Sequence, residues 1–435
     1  MQVPRLVGRR VALLLMALAS LPAPAGDTWP EFRGPSGDGH VKAPGDTAPA
    51  GLPTHWSETE NVAWKTAIPL KGWSTPVVMG GQVWLTTATE EGTDYFAIAV
   101  DAATGDILHN KHLFHSDDPE PLGNNVNGYA SPSPVIEAGR VYVHFGVYGT
   151  ACLDTETAEV LWQRTDLPCR HYRGPGSSPI LFEDLLILTF DCIDQQYVTA
   201  LDKTTGETRW RTDRSRKWED FDENGQIIRN GDMRKSYSTP VIVQQNGVPL
   251  MLSVGSSATY GYDPRTGAEL WKVEQAGFTP STRPVWDGER LFTATGYGTQ
   301  ELWAIRTDGS GDVRESHVAW RRAERDVPET PSPILADGLL YTVSNRGEVA
   351  CLEPATGETI WTERIGGNHI ASPIYAGGLL YFTSSQGTTT ILRAGRTVEK
   401  VAANTLDEGL MASPAAAGKA LYLRTPGFLY RIEAK

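Results

Sequence analysis

Short segments of the chain alternate apolar and polar positions with period two, as in residues 140–145 (RVYVHF) and 339–343 (LLYTV). That alternation, rich in aromatic and β-branched side chains, predicts strands packed between neighbouring sheets. Pairs of such strands flank tight turns at Gly80-Gly81, Ala138-Gly139, Asp337-Gly338 and Gly377-Gly378. A third strand ends in Asp or Glu and runs into a Thr-Gly turn, at 101–105, 202–206, 263–267 and 353–357. Glycine supplies the positive φ of such a turn, and the Asp side chain bonds the turn's own backbone. A fourth strand then presents Trp162, Trp210, Trp271, Trp320 or Trp361.

Each unit opens on a Ser/Thr-x-Pro or Ser-Pro step, at Pro76, Pro134, Pro179, Pro240, Pro284, Pro333, Pro373 and Pro414. The spacings are 58, 45, 61, 44, 49, 40 and 41 residues, which is propeller spacing with loop insertions. Eight units follow, so the expected fold is all-β: an eight-bladed β-propeller of four-stranded blades. The last unit stops at Ile432 without a tryptophan strand, and the missing strand stands at residues 61–67 around Trp64. An N-terminal strand is therefore expected to complete the eighth blade and close the ring, removing the open sheet edges.

Ahead of the repeats, Arg5, Arg9 and Arg10 precede a short apolar run and the small-x-small pattern Ala23-Pro24-Ala25, which reads as a signal peptide cleaved near Ala25. The expected division is a signal peptide over 1–25, an extended arm over 26–60 and the propeller over 61–435, in a periplasmic or secreted protein. No segment is long and apolar enough to span a bilayer. Cleavage removes three arginines and no acid, taking the formal charge from −13 to −16. An acidic protein has no electrostatic reason to bind nucleic acid or anionic lipid.

The Asp-x-x-Thr-Gly-x-x-x-Trp grammar resembles the repeats of the pyrroloquinoline quinone (PQQ) dehydrogenase-like superfamily, over nearly all of the mature chain. The stretch 29–39 (WPEFRGPSGDG) is similar to the opening of secreted PQQ-like propellers labelled BamB-like, after an outer-membrane assembly factor. Unlike that factor, this chain has no cysteine after the cleavage site to carry a lipid. The resemblance implies a quinoprotein-like propeller in which Trp64, Trp162, Trp210, Trp271, Trp320 and Trp361 dock blade on blade. It also implies what a quinone enzyme of the superfamily requires: calcium or a lanthanide on carboxylate and amide oxygens, an aspartate base, and a disulfide of adjacent cysteines lying on the cofactor. The four cysteines, 152, 169, 192 and 351, are not adjacent, and no ligand set is recognisable. No cofactor is therefore expected, with PQQ and calcium kept as the alternative that the smaller sugar-oxidising quinoproteins leave open.

Cys152 and Cys351 hold the same repeat position and read as buried apolar residues. Cys169 and Cys192 lie in two loops on one rim of unit three, and a disulfide between them is expected in an oxidising compartment. The loops before the opening steps collect Asn125, Asn127, Arg170, His171, Arg173, Arg234, Lys235, Arg283 and His369. Converging on one channel mouth, these residues suggest an anionic small molecule or an acidic partner protein; the other reading has them bonding loop backbones and one another. No metal site is expected, since no short-spaced His/Cys cluster is present. Gly-x-Ser-x-Gly, a phosphate-binding loop and HExxH are absent. The favoured function is a monomeric, non-catalytic binding or interaction scaffold that uses its loop-rich rim. The alternative is a PQQ-dependent oxidoreductase acting on an alcohol or sugar.

Overall fold

The computed structural model describes residues 27–41, 51–123 and 126–434; the expected signal peptide over 1–25 and Asn125 lie outside them. Eight antiparallel sheets follow one another along the chain as blades one to eight, beginning at residues 77, 135, 180, 241, 285, 334, 374 and 415. Middle strands such as Leu185–Asp191 are buried throughout, because each is covered on both faces by a neighbouring blade. Outermost strands such as Thr208–Asp213 expose alternate residues. The eighth blade is completed by Val62–Ala67, paired antiparallel with Phe428–Ile432, with Lys65 opposite Tyr430 and Ala67 opposite Phe428. The ring is thus closed by joining the two ends of the propeller sequence.

The repeat grammar now has a physical meaning. In the Thr-Gly turns at Asp101 and Asp202 the carboxylate accepts two backbone N–H bonds, Asp202 from Thr204 and Thr205 at 2.8 and 3.0 Å. Those bonds hold its pKa below the usual carboxylate value. The tryptophan of the preceding blade lies on the turn and donates its indole N–H to a turn carbonyl. Trp64 reaches Ala102, Trp162 reaches Lys203, Trp210 reaches Pro264, Trp320 reaches Pro354 and Trp361 reaches Gly395, all at 2.9 to 3.2 Å. The first blade uses His109 instead, whose Nε2 lies 3.0 Å from the Glu156 carbonyl.

Trp271 departs from this pattern. Its indole N–H has no partner among the described residues, although the side chain is fully buried. Blade five lacks the Asp-x-x-Thr-Gly turn that would answer it. A short insertion there adds a fifth strand, Gly311–Asp312, parallel to Glu269–Glu274 in blade four, and packs Val313 into the cluster around Trp271. Burial replaces the hydrogen bond.

A second set of contacts ties the blades at the axis. The residue before six of the eight opening prolines donates its backbone N–H to a hydroxyl of the next blade: Thr75 to Ser133, Ser133 to Ser178, Ser178 to Thr239, Arg283 to Ser332, Ser332 to Ser372 and Ser372 to Ser413. All six bonds are 2.9 to 3.0 Å long. At the junction of blades eight and one the buried Arg424 guanidinium takes over, donating to Ser74 Oγ at 2.6 Å and to the Thr86 carbonyl at 3.0 Å.

Two measurements test this account. Deleting residues 26–67 removes the closing strand, and is expected to abolish cooperative unfolding of the whole ring in a thermal melt. Gly206 and Gly247 have φ values of 76° and 79°, but a Cβ at Gly206 would lie 2.7 Å from the Trp162 ring whereas one at Gly247 meets nothing. Gly206→Ala is therefore expected to cost about 1–3 kcal/mol more than Gly247→Ala in denaturant unfolding.

Candidate functional site

The opening steps of all eight blades surround a central channel. Its cavity of about 200 Å³ is walled by hydroxyls including Ser133, Ser178, Thr239 and Ser413, with Trp73 and Met411 toward the loop-rich rim. Phe32 forms the opposite end. It belongs to the stretch 29–39, which lies across the ring's axis. Trp29 pairs with Val78 in blade one, and the Pro30 carbonyl accepts from Ile136 in blade two. At the far side His40 bridges to Tyr375 in blade seven, and its Nε2 lies 2.6 Å from the Leu335 carbonyl in blade six. This segment is a plug. Arg283 anchors it from beneath, donating to the Phe32 and Pro240 carbonyls and to Glu31. Gly37 passes so close to the Arg283 guanidinium that a Cβ would lie 2.4 Å away.

A wider mouth of about 560 Å³ opens above the channel between blades three, four and five. Tyr172, Tyr237, Phe278 and Tyr297 line it with the pair Arg173–Asp232 and with Glu329. Another recess of about 550 Å³ lies on the far side of Trp73 and Asn127.

The rim residues singled out in the sequence fall into place differently from an open basic patch. Arg170 pairs with Glu120 at 2.9 Å, Arg173 with Asp232 at 2.6 Å, Arg234 with Asp220 at 2.6 Å and Arg283 with Glu31 at 3.1 Å. Each guanidinium thus meets a carboxylate, so the attraction expected for an anion is largely cancelled. Of the four, only Arg173 lines the mouth; Arg283 and Arg234 are buried, the former under the plug. Asn127 bridges units two and three, donating to the Arg173 and Pro175 carbonyls at 2.7 and 3.0 Å and accepting from Ser131. His369 is buried with its two ring nitrogens 2.8 and 2.9 Å from the Gly366 and Thr383 carbonyls, and serves as a strut.

Cys169 and Cys192 are joined as a disulfide, with Cα atoms 5.7 Å apart. Cys152 and Cys351 are free and buried. His171 packs on the disulfide, its Nδ1 3.5 Å from the Cys169 sulfur, while its Nε2 accepts the Val147 N–H at 3.1 Å. Burial drives the His171 pKa well below the ordinary value, reinforced by the nearby Lys235 ammonium. Burial likewise pushes the Lys235 pKa down to about 8, against the pull of the Asp232 and Asp191 carboxylates. The Lys235 ammonium lies 5.0 Å over the Tyr237 ring.

Sequence reasoning missed three elements: the plug, Trp73, and the buried pair Asp191–Arg214, which closes with bonds of 2.6 and 2.7 Å. The signal for Trp73 was its place directly before the first opening step. The pairing of Asp191 with Arg214 left none, because nothing in a linear sequence says which acid a given arginine meets.

The family described as outer membrane protein assembly factor BamB matches residues 49–166, 120–220 and 194–435. The chain belongs to that family. No curated protein is detectably similar in sequence. Among solved structures, BamB from Moraxella catarrhalis superposes with a TM-score of 0.57 at 12% identity, covering 85% of this chain and 99% of that one. A europium-containing methanol dehydrogenase gives 0.62 at 12% identity, covering 93% and 91%. The quinohemoprotein alcohol dehydrogenase from Comamonas testosteroni gives 0.64 at 15%, covering 94% and 81%. At these identities the likeness establishes the quinoprotein-like propeller fold. It leaves the choice between the binding and the redox branch to the site.

Whether this BamB-family chain has residues suited to a quinone and its cation is therefore a question about the channel. A hard divalent cation takes six to eight oxygen ligands, with carboxylates prominent among them. Among the described residues no Asp, Glu, Lys, Arg, His or Cys lines the channel cavity. No carboxylate is there to hold calcium, and no cation to balance the carboxylates of PQQ. The disulfide belongs to the packed interior of blade three and is not among the residues lining the cavity. The residues present do not fit the group.

Buried His144, in blade two beside Phe190, supplies a pH test. Burial pushes its pKa down to about 3. The unfolded chain takes up a proton near pH 6.5 that the folded protein refuses, so the stability is complete above that pH and falls as pH drops toward 3. At pH 5 the loss is about 2 kcal/mol. A His144→Gln variant is expected to lose about that much of the pH 7-to-5 slope in denaturant unfolding.

Proposed function

We propose that this BamB-family propeller is a non-catalytic extracytoplasmic scaffold that binds a partner protein or ligand through its loop-rich rim and channel mouth. The observation that carries the reading is the channel itself, floored by the plug and lined without a single charged side chain among the described residues. General acid–base catalysis most often uses a histidine, carboxylate or lysine within hydrogen-bond reach of the reacting atom, and among the described residues none lines the channel; quinone chemistry needs the cation discussed above. The rim offers aromatic faces and ion-paired arginines, features suited to recognition. In this reading the Cys169–Cys192 disulfide fixes the loops of blade three at the rim, in keeping with export to an oxidising compartment.

Titrating the purified protein with PQQ and calcium in a calorimeter tests the proposal, alongside dye reduction with a panel of alcohols and sugars. Neither heat nor turnover is expected. Micromolar PQQ binding with dye reduction would overturn the scaffold reading in favour of an oxidoreductase.

A further inference from the structure

The girdle hydroxyls at the axis are only half used. Ser133, Ser178, Thr239 and Ser413 each accept a backbone N–H from the preceding blade, and none donates its own hydrogen to an acceptor among the described residues. All four are at least nine-tenths buried, and all four line the channel. The O–H of each is left unused by the neighbouring blade, so the channel presents four donors that the oxygen atoms of a guest can accept. The part of the guest inside the channel must also be uncharged, since no side chain lining that cavity would balance a charge. An aliphatic guest would leave the hydroxyls unpaired. What remains is a neutral molecule with oxygen atoms spread around its edge.

The mouth adds a second requirement. Tyr297 is 58% exposed there, with Phe278 edge-on to it at a ring separation of 5.4 Å, and Tyr237 and Tyr172 line the same recess. Exposed aromatic faces pack against flat apolar C–H surfaces. The Arg173–Asp232 pair, although mutually neutral, still offers donors and lone pairs to hydroxyl groups. Apolar faces combined with an oxygen-rich edge describe a pyranose ring. We infer that the mouth and channel form a binding site for a neutral oligosaccharide, with its terminal sugar entering the hydroxyl girdle and the next units stacking at Tyr297 and Phe278. The mouth volume of about 560 Å³ lies within the usual range of ligand sites, about 300–1,000 Å³.

This inference rests on the scaffold reading and deepens it. Its test is a glycan array carrying neutral and acidic oligosaccharides, followed by calorimetry of the strongest neutral binder against wild type, Tyr297→Ala and Trp73→Ala. Thermal melts establish that both variants fold. The expected result is saturable binding of a neutral glycan, insensitive to salt and weakened about tenfold by Tyr297→Ala, as loss of roughly 1.4 kcal/mol of stacking requires. Binding confined to acidic glycans would overturn the inference, as would the absence of any glycan binding, or binding unchanged in both variants. A blank array with no PQQ turnover refutes the sugar site alone, whereas PQQ turnover refutes the scaffold reading beneath it.

Discussion

A closed ring of blades depends on each blade answering the hydrogen bonds its neighbour leaves open. Burying sheet against sheet supplies the bulk of the free energy, but that term is non-directional and does not set the angle between blades. The angle is set at two radii. On the outer edge the indole N–H of Trp64, Trp162, Trp210, Trp320 or Trp361 meets a turn carbonyl, and at the axis a backbone N–H meets a serine or threonine oxygen. Each bond contributes only about 1 kcal/mol net. Repeated at most of the junctions and at both radii, they narrow the pitch between blades to one at which eight blades close.

Blade five breaks the pattern at both radii. Its opening step carries Arg283 where other blades carry a hydroxyl, and its third strand ends without the Asp-x-x-Thr-Gly turn. Neither break is left open. The arginine side chain crosses to Phe32 and Glu31 and holds the plug, and the altered turn becomes the insertion that buries Trp271. Departures from a local rule are where a repeat protein places something that one blade alone must do. In this chain that task is closing the channel.

The parts legible in the sequence were those the repeat writes many times. Blade number, strand order, tryptophan docking and closure by the strand of Trp64 each follow from a pattern that recurs in register. His109 belonged to the same pattern without drawing notice: it stands eight residues after Asp101, as Trp162 does after Asp154 and Trp210 after Asp202. The site was less legible because its character depends on pairings made once. Arg170, Arg173 and Arg283 read as a basic rim only until Glu120, Asp232 and Glu31 are placed beside them, and those acids are 50, 59 and 252 residues away. A count of charges along the rim loops cannot contain that information. The stretch 29–39 was conspicuous as a motif, yet its path across the axis depends on inner strands of blades one, two, six and seven that exist only after the ring has formed.

The plug also changes what ancestry implies. A quinone with its cation would need charged or carboxylate side chains on the axis, and the fold offers positions for them because the opening steps line the channel. In this chain every opening step but that of blade five places a small hydroxyl there, and six of these hydroxyls accept the neighbouring blade's N–H. A hydroxyl used in that way is no longer free to be exchanged for a carboxylate ligand, since the exchange would place a buried negative charge at the junction and lengthen the girdle bond. The inter-blade geometry therefore leaves the cavity, among the described residues, lined by neutral side chains. With Phe32 of the plug at its far end, the channel meets the rim through the side of Trp73 and Met411. Fold likeness to alcohol dehydrogenases and to an assembly factor is thus compatible with a third use of the same ring, in which the blades supply neutral donors and the loops supply aromatic walls.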